Sequence, residues 1–152
     1  MTIQKITVCA FIYSDGKMLW LQRAASKKFL PNKWELIWGH VENGETLEEA
    51  LIREIQEEIQ GKIKVGEIIY AFTYQKDEEI QVVEIIYLAT LMNPDEISLN
   101  PNDHQKMKWL TFEETKELYD TQDAEFPAVI KGFSKLKDFS KNKKKCSNAN
   151  IY

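Results

Sequence analysis

The chain has 152 residues, enough for one domain with a real hydrophobic core. Hydrophobic residues make up 43% and charged residues 29%, and the net charge of −4 is uneven: the last twelve residues hold four lysines and no acid, so the preceding 140 carry −8. An acidic body argues against a duplex nucleic-acid binder, though it can still take phosphates through a metal, and no run approaches the ~18 apolar residues of a membrane span.

In chain order, "KITVCAFIY" (5–13) is rich in β-branched and aromatic residues and predicts a strand. The Asp-Gly turn "SDGK" (14–17) predicts a hairpin to "MLWLQR" (18–23). A polar loop with a proline (24–33) leads to "WELIW" (34–38), one short buried strand, and then to a loop with Gly and Asn. Thr46 opens Thr-Leu-Glu-Glu, a capping box in which Glu49 reaches back, and Leu47, Leu51, Ile55 and Ile59 recur at i+4. Gly61 is a natural stop, so a helix is expected over 46–60. Two long strands (62–75 and 80–92) joined by "KDEE" follow, then a loop with two prolines (93–105) and a short strand (106–111). Thr111 opens a second capping box before a short helix, and 125–139 reads as a C-terminal amphipathic helix. This order predicts a single α/β or α+β domain over 1–140, a mixed sheet with helices packed on it, and a disordered basic tail over 141–152.

Two cysteines, Cys9 in an apolar run and Cys146 in the tail, read as one buried and one exposed thiol in a reducing compartment. No metal-ligand Cys/His spacing appears, and the N-terminus lacks a signal-peptide pattern; the expectation is a cytoplasmic protein without membrane association.

The expected helix 46–60 carries Glu54, Glu57 and Glu58 at i, i+3 and i+4. Successive helical residues turn by about 100°, so the three acids share a face and repel by a few tenths of a kcal/mol per pair. That face lies beside the apolar stripe, at the edge of the packed surface, where a cleft could open. A solvated face laced by ion pairs is one reading, with Arg53 pairing to Glu49 and Glu57; it leaves Glu54 and Glu58, four apart with like charge, unexplained. A divalent-metal site is the other, because Mg²⁺ takes hard oxygen ligands and commonly bridges carboxylates, waters and substrate phosphates.

The stretch resembles the Nudix box: Gly, five residues, Glu, seven residues, Arg-Glu, an aliphatic, any residue, Glu-Glu, any residue, Gly, an aliphatic. Gly39, Glu45, Arg53, Glu54, Ile55, Glu57 and Glu58 stand at the required spacings, and "KMLWLQR" and "DHQKMKWLTFEE" are similar to Nudix flanks. The box departs at its late Gly, which falls on Gln60, and before Gly39, where the common Pro-Gly-Gly reads Ile37-Trp38-Gly39. The resemblance covers about residues 5–139 and implies an α/β/α sandwich with a mixed β-sheet. It implies hydrolysis of a nucleoside diphosphate linked to another group, with Mg²⁺ or Mn²⁺ and water. The leading expectation is a nucleoside triphosphate giving monophosphate and pyrophosphate. The alternatives are a dinucleoside-polyphosphate or nucleotide-sugar hydrolase, or a non-catalytic nucleotide-sensing domain, against which the full acid set argues.

Carried onto this chain, the resemblance makes Glu54, Glu57 and Glu58 metal ligands, joined by the carbonyl of Trp38. Arg53 would orient the glutamates, and Gly39 and Glu45 would shape the loop–helix junction. A further acid often serves from a later loop in this family, which points to Asp103, six residues before Trp109, with His104 as the rival base or an acid of the helix itself; Asp103 could instead merely begin an Asx-turn. Arg23 and His40 could touch phosphates or be surface residues. Trp38 is the candidate pocket wall, whereas Trp20 and Trp109 read as core. The partner is a small-molecule nucleotide, and the chain could be a monomer or a homodimer.

Overall fold

The computed structural model describes the backbone of residues 3–148 and the side chains of residues 3–138. Among the described residues seven strands form: β1 (Ile3–Ser14), β2 (Lys17–Arg23), β3 (Trp34–Glu35), β4 (Ile37–His40), β5 (Ile63–Gln75), β6 (Ile80–Leu91) and β7 (His104–Leu110). The helices are α1 (Leu47–Ile59), α2 (Phe112–Leu118) and α3 (Phe126–Asn148), with a 3-10 turn at Pro94–Glu96. β1 is the hub of the sheet. It runs parallel to β6, as in Thr7 opposite Glu84 and Cys9 opposite Ile86. It runs antiparallel to β4, as in Val8 opposite Gly39, and at its end turns into β2. β5 pairs antiparallel with β6, while β3 and β7 flank β2. The sheet is mixed and open.

β1 reads as an unbroken apolar run because it is covered on both faces. Side chains alternate across a strand. Val8, Ala10 and Ile12 therefore join Leu19, Leu21, Tyr87 and the α1 residues Ala50, Leu51, Ile55 and Ile59 in one core. Cys9 and Phe11 point the other way, into a core with Met18, Trp20, Ile86, Leu88 and the α3 residues Val129 and Phe133. Two cores on opposite faces make the expected α/β/α sandwich. Trp20 is fully buried, and its Nε1 donates to Thr115 Oγ1 at 3.1 Å, which ties α2 to the sheet. Trp109 packs at the margin of the α1-side core.

The capping box of α1 is formed: Thr46 Oγ1 accepts from the Glu49 amide at 3.2 Å, and the Thr46 amide donates to Glu49 Oε2 at 2.8 Å. The helix ends one residue earlier than Gly61 suggested, because Gln60 itself takes the left-handed conformation (φ 55°). Gly61 is needed for space instead: a Cβ there would come 2.8 Å from Ile55 and 2.9 Å from Leu91. Residues 34–38 form two strands rather than one. Trp34 and Glu35 pair with β2, and the chain then crosses to β1, a change of partner that periodicity does not signal. β7 starts at His104, two residues before the expected strand, and α3 runs on through residue 148. Most of the 141–152 segment is thus helical backbone; the side chain of Cys146 and residues 149–152 lie outside the described residues. Among the described side chains, the buried residues of α3 reach to Leu136. Among the described residues, no helix is long and apolar enough to cross a membrane.

Gly132 sits in the body of α3, where alanine is normally worth about 1 kcal/mol more. Its Cβ position is filled by the ring of Phe11. Overpacking of that kind costs ~1–3 kcal/mol. Gly132→Ala is therefore expected to lower the thermal midpoint despite its better helix propensity; a higher midpoint would show that α3 can slide off β1 freely.

Candidate active site

The loop before α1 and the helix itself are joined by one guanidinium. Arg53 Nε donates to Glu45 Oε1 at 2.6 Å and Nη2 to Glu45 Oε2 at 2.9 Å, a bidentate fork. Nη2 also reaches the His40 carbonyl at 3.0 Å, Nη1 reaches Glu54 Oε1 at 2.8 Å, and Glu57 Oε2 lies 3.5 Å from Nη1. Of the pairings expected for Arg53, that to Glu57 is present, while the Glu49 carboxylate is occupied by the capping box. Glu45 accepts in addition from the Glu42 amide at 2.9 Å. Its carboxyl is held down to about 2, first by the Arg53 hydrogen bonds and then by that amide. Glu45 stands behind Arg53 and out of the cleft. Gly39 is glycine for a steric reason: the Glu54 side chain lies where its Cβ would be.

Glu54, Glu57 and Glu58 line a cleft of about 380 Å³. Glu57 is 59% exposed, whereas Glu54 and Glu58 are each 15% exposed. Burial raises the Glu54 carboxyl, against the opposing hydrogen bond and charge of Arg53. Glu58 is pushed up to about 9, by burial first and then by the charges of Glu35, Glu54 and Asp103. Its Oε2 is buried with no hydrogen-bond partner, and His104 Nδ1 lies 3.6 Å away.

Beneath these acids lies a charged floor that the sequence reading missed. Glu35 is 6% exposed. It accepts from Arg23 Nη1 at 3.1 and 3.3 Å, from Trp38 Nε1 at 3.1 Å, and meets His104 Nε2 at 3.0 Å. A glutamate inside "WELIW" was the available signal, since a carboxylate in a buried strand needs partners.

Every expected site residue except Glu45 borders this one cleft: Arg23, Trp38, Gly39 and His40 on one side, Arg53 and the three glutamates on the other, and Asp103 at the rim. Asp103 accepts from Lys27 Nζ and, at 2.8 Å, from Asn100 Nδ2. His104, the rival base, is 3% exposed and directed at Glu35. Trp38 and His40 meet edge to face at 5.7 Å between ring centres. His40 Nδ1 is buried without a partner, and burial lowers the imidazole pKa ahead of the charges of Lys5 and Lys76.

Among the described residues no three His, Cys, Asp or Glu side chains are already gathered as a finished metal cluster. The donor set nevertheless suits a hard divalent cation: carboxylate oxygens on one rigid helical edge, one of them buried and unpaired.

A family model described as the NUDIX domain matches residues 3–129. The nucleoside triphosphatase NudI of Salmonella paratyphi B is 33% identical over 127 residues, covering 77% of this chain and 88% of that protein. NudI of Escherichia coli O139:H28 is 42% identical over 65 residues, or 43% of this chain and 46% of that protein. Among solved structures, the MutT protein of Methanosarcina mazei aligns with a TM-score of 0.72 at 24% identity, covering 90% of this chain and 96% of that one. A C. elegans Ap4A hydrolase aligns at 0.66 and 24%, covering 90% and 98%. Both structures share the fold.

Glu58 supplies a pH-dependent test in metal-free buffer. Its folded pKa lies above the unfolded one, so its contribution is fully present below about pH 4.5 and is lost as pH rises toward 9. Glu58→Gln removes that loss. It is expected to raise the metal-free thermal midpoint by roughly 3–6 °C at pH 8 and hardly at all at pH 4.5. A fall at pH 8 would show that the buried carboxyl is satisfied.

Proposed function

Because the chain belongs to the NUDIX domain family, we propose that this Nudix hydrolase cleaves nucleoside triphosphates to the monophosphate and pyrophosphate. The observation that carries the reading is the buried, unpaired Glu58 oxygen beside Glu54 and Glu57 on the cleft wall. A binding-only domain has no need of the full set Glu54, Glu57 and Glu58. The relatives named as nucleoside triphosphatases support the choice of substrate class. We assign the enzyme to the cytoplasm, where nucleoside triphosphates are abundant and Cys9 stays reduced.

In this reading Glu54, Glu57 and Glu58, with the Trp38 carbonyl, would hold Mg²⁺ or Mn²⁺. When bound, such a cation supplies charge neutralisation to the diphosphate and lowers the pKa of a coordinated water. Arg53 keeps Glu54 aimed into the cleft through the 2.8 Å bond and keeps the loop closed through Glu45. Arg23 and His40 contact phosphate oxygens, and Trp38 walls the nucleotide side. Asp103 takes a proton from the attacking water. The water oxygen joins phosphorus, the α–β anhydride P–O bond breaks, and the two halves part as nucleoside monophosphate and pyrophosphate anions.

The test is pyrophosphate release from a panel of nucleoside triphosphates with Mg²⁺. Chelation should abolish it, and Glu57→Gln should lower kcat by about 10²-fold with an unchanged fold, because that side chain is largely exposed. Unchanged turnover in the mutant, or phosphate in place of pyrophosphate as the product, would overturn the assignment.

A further inference from the structure

Three basic side chains line the cleft: Arg23, Lys27 and Arg53. Arg53 spends its donors on Glu45, Glu54 and the His40 carbonyl. Arg23 gives Nε to the Phe29 carbonyl at 3.1 Å and Nη1 to Glu35. Arg53 thus holds the architecture, and Arg23 is largely committed to it, with only its Nη2 left for a phosphate oxygen. Lys27 differs. Its ammonium carries three donors, and the pairing it makes is with one oxygen of Asp103 at the rim, the two side chains 31% and 32% exposed.

We propose that Lys27 is a clamp for the polyphosphate tail, parked on Asp103 until substrate arrives. The inference rests on the triphosphatase reading above and adds a residue to it. A half-exposed ion pair is worth about 0–1 kcal/mol, so exchanging Asp103 for a multiply charged phosphate chain costs little. The four-carbon stem lets the ammonium swing without moving the backbone. Other bonds hold the loop: Gln22 Nε2 donates to the Asn32 carbonyl at 3.1 Å, Gln105 Nε2 to Asn32 Oδ1 at 2.8 Å, and the Ala24 amide to the Asp103 carbonyl at 2.8 Å. Asp103 keeps its own brace from Asn100 when Lys27 leaves. The exchange therefore couples two events. The tail gains a cation, and an Asp103 oxygen is released toward the cleft only when phosphate is in place.

The experiment is calorimetric titration of the full chain with inorganic tripolyphosphate in Mg²⁺, which needs no knowledge of the base. Lys27→Met should weaken tripolyphosphate binding by roughly 10- to 100-fold, the range for one charged hydrogen-bonding group, and Lys27→Arg should restore most of it. Asp103→Asn breaks the same pair but leaves the lysine free, so its affinity should be unchanged or tighter. In steady state, Lys27→Met should raise the KM for triphosphate more than it lowers kcat. If Lys27 were only a loop brace, Lys27→Met and Asp103→Asn would weaken binding alike; that result, or unaltered binding in Lys27→Met, overturns the clamp. A wild-type chain that releases no pyrophosphate from any triphosphate, yet binds tripolyphosphate through Lys27, would remove the triphosphatase reading and leave the clamp standing.

Discussion

The site depends on one guanidinium. Arg53 faces four acceptors at once, among them both oxygens of Glu45 and one of Glu54. Without it, the glutamates of α1 would repel one another and the loop 40–46 would lose its Glu45 and His40 anchors on the helix, keeping only the Thr46 capping box. A lysine would supply the charge but not the planar fork, because an ammonium is a point donor. The arrangement also separates roles among chemically identical residues. Glu45 is fully satisfied and sits outside the cleft. Glu54 is half-satisfied and faces in, and Glu58 is left with a buried oxygen that has no protein donor.

The sheet makes this placement possible. β1 is apolar on both faces, so α1 packs on one side and α3 on the other, and β4 is pinned along β1 by its register. Gly39 lies on β4, where the Glu54 side chain occupies the space that a Cβ would need. A Cβ at residue 39 would force the Glu54 side chain out of its present position. Beneath strand and helix, Glu35 gathers Arg23, Trp38 and His104 Nε2 into a buried polar floor, with His104 Nδ1 left without a hydrogen-bond partner. The unpaired Glu58 oxygen stands above that floor, and its high pKa records the cost of leaving it so.

Much of this was legible in the sequence. The i+4 ladder Leu47, Leu51, Ile55, Ile59 and the Thr46 capping box placed α1 to within a residue, and the spacing of Gly39, Arg53, Glu54, Glu57 and Glu58 pointed to one cleft, with Glu45 bracing it from behind. Local signals are strong in these places because the interactions are local. The partner change between Glu35 and Ile37 was not legible, since pairing with β2 or β1 is decided by chain segments far away in sequence. Nor were the Glu35–His104 contact, 69 residues apart, and the Lys27–Asp103 pair, 76 apart. The left-handed Gln60 was hidden by Gly61, a better candidate on intrinsic preference whose actual role is to leave room for Ile55 and Leu91.

The central claim is that Arg53 organises a helical edge for a divalent cation, and Mn²⁺ binding followed by electron paramagnetic resonance, without nucleotide, tests it most directly. The wild-type chain should bind Mn²⁺, and Arg53→Lys, which keeps the charge and loses the fork, should bind it about 10- to 100-fold more weakly, the range for losing a residue that orients metal ligands. Equal Mn²⁺ affinity in wild type and Arg53→Lys, or no binding by the wild type, would contradict the account.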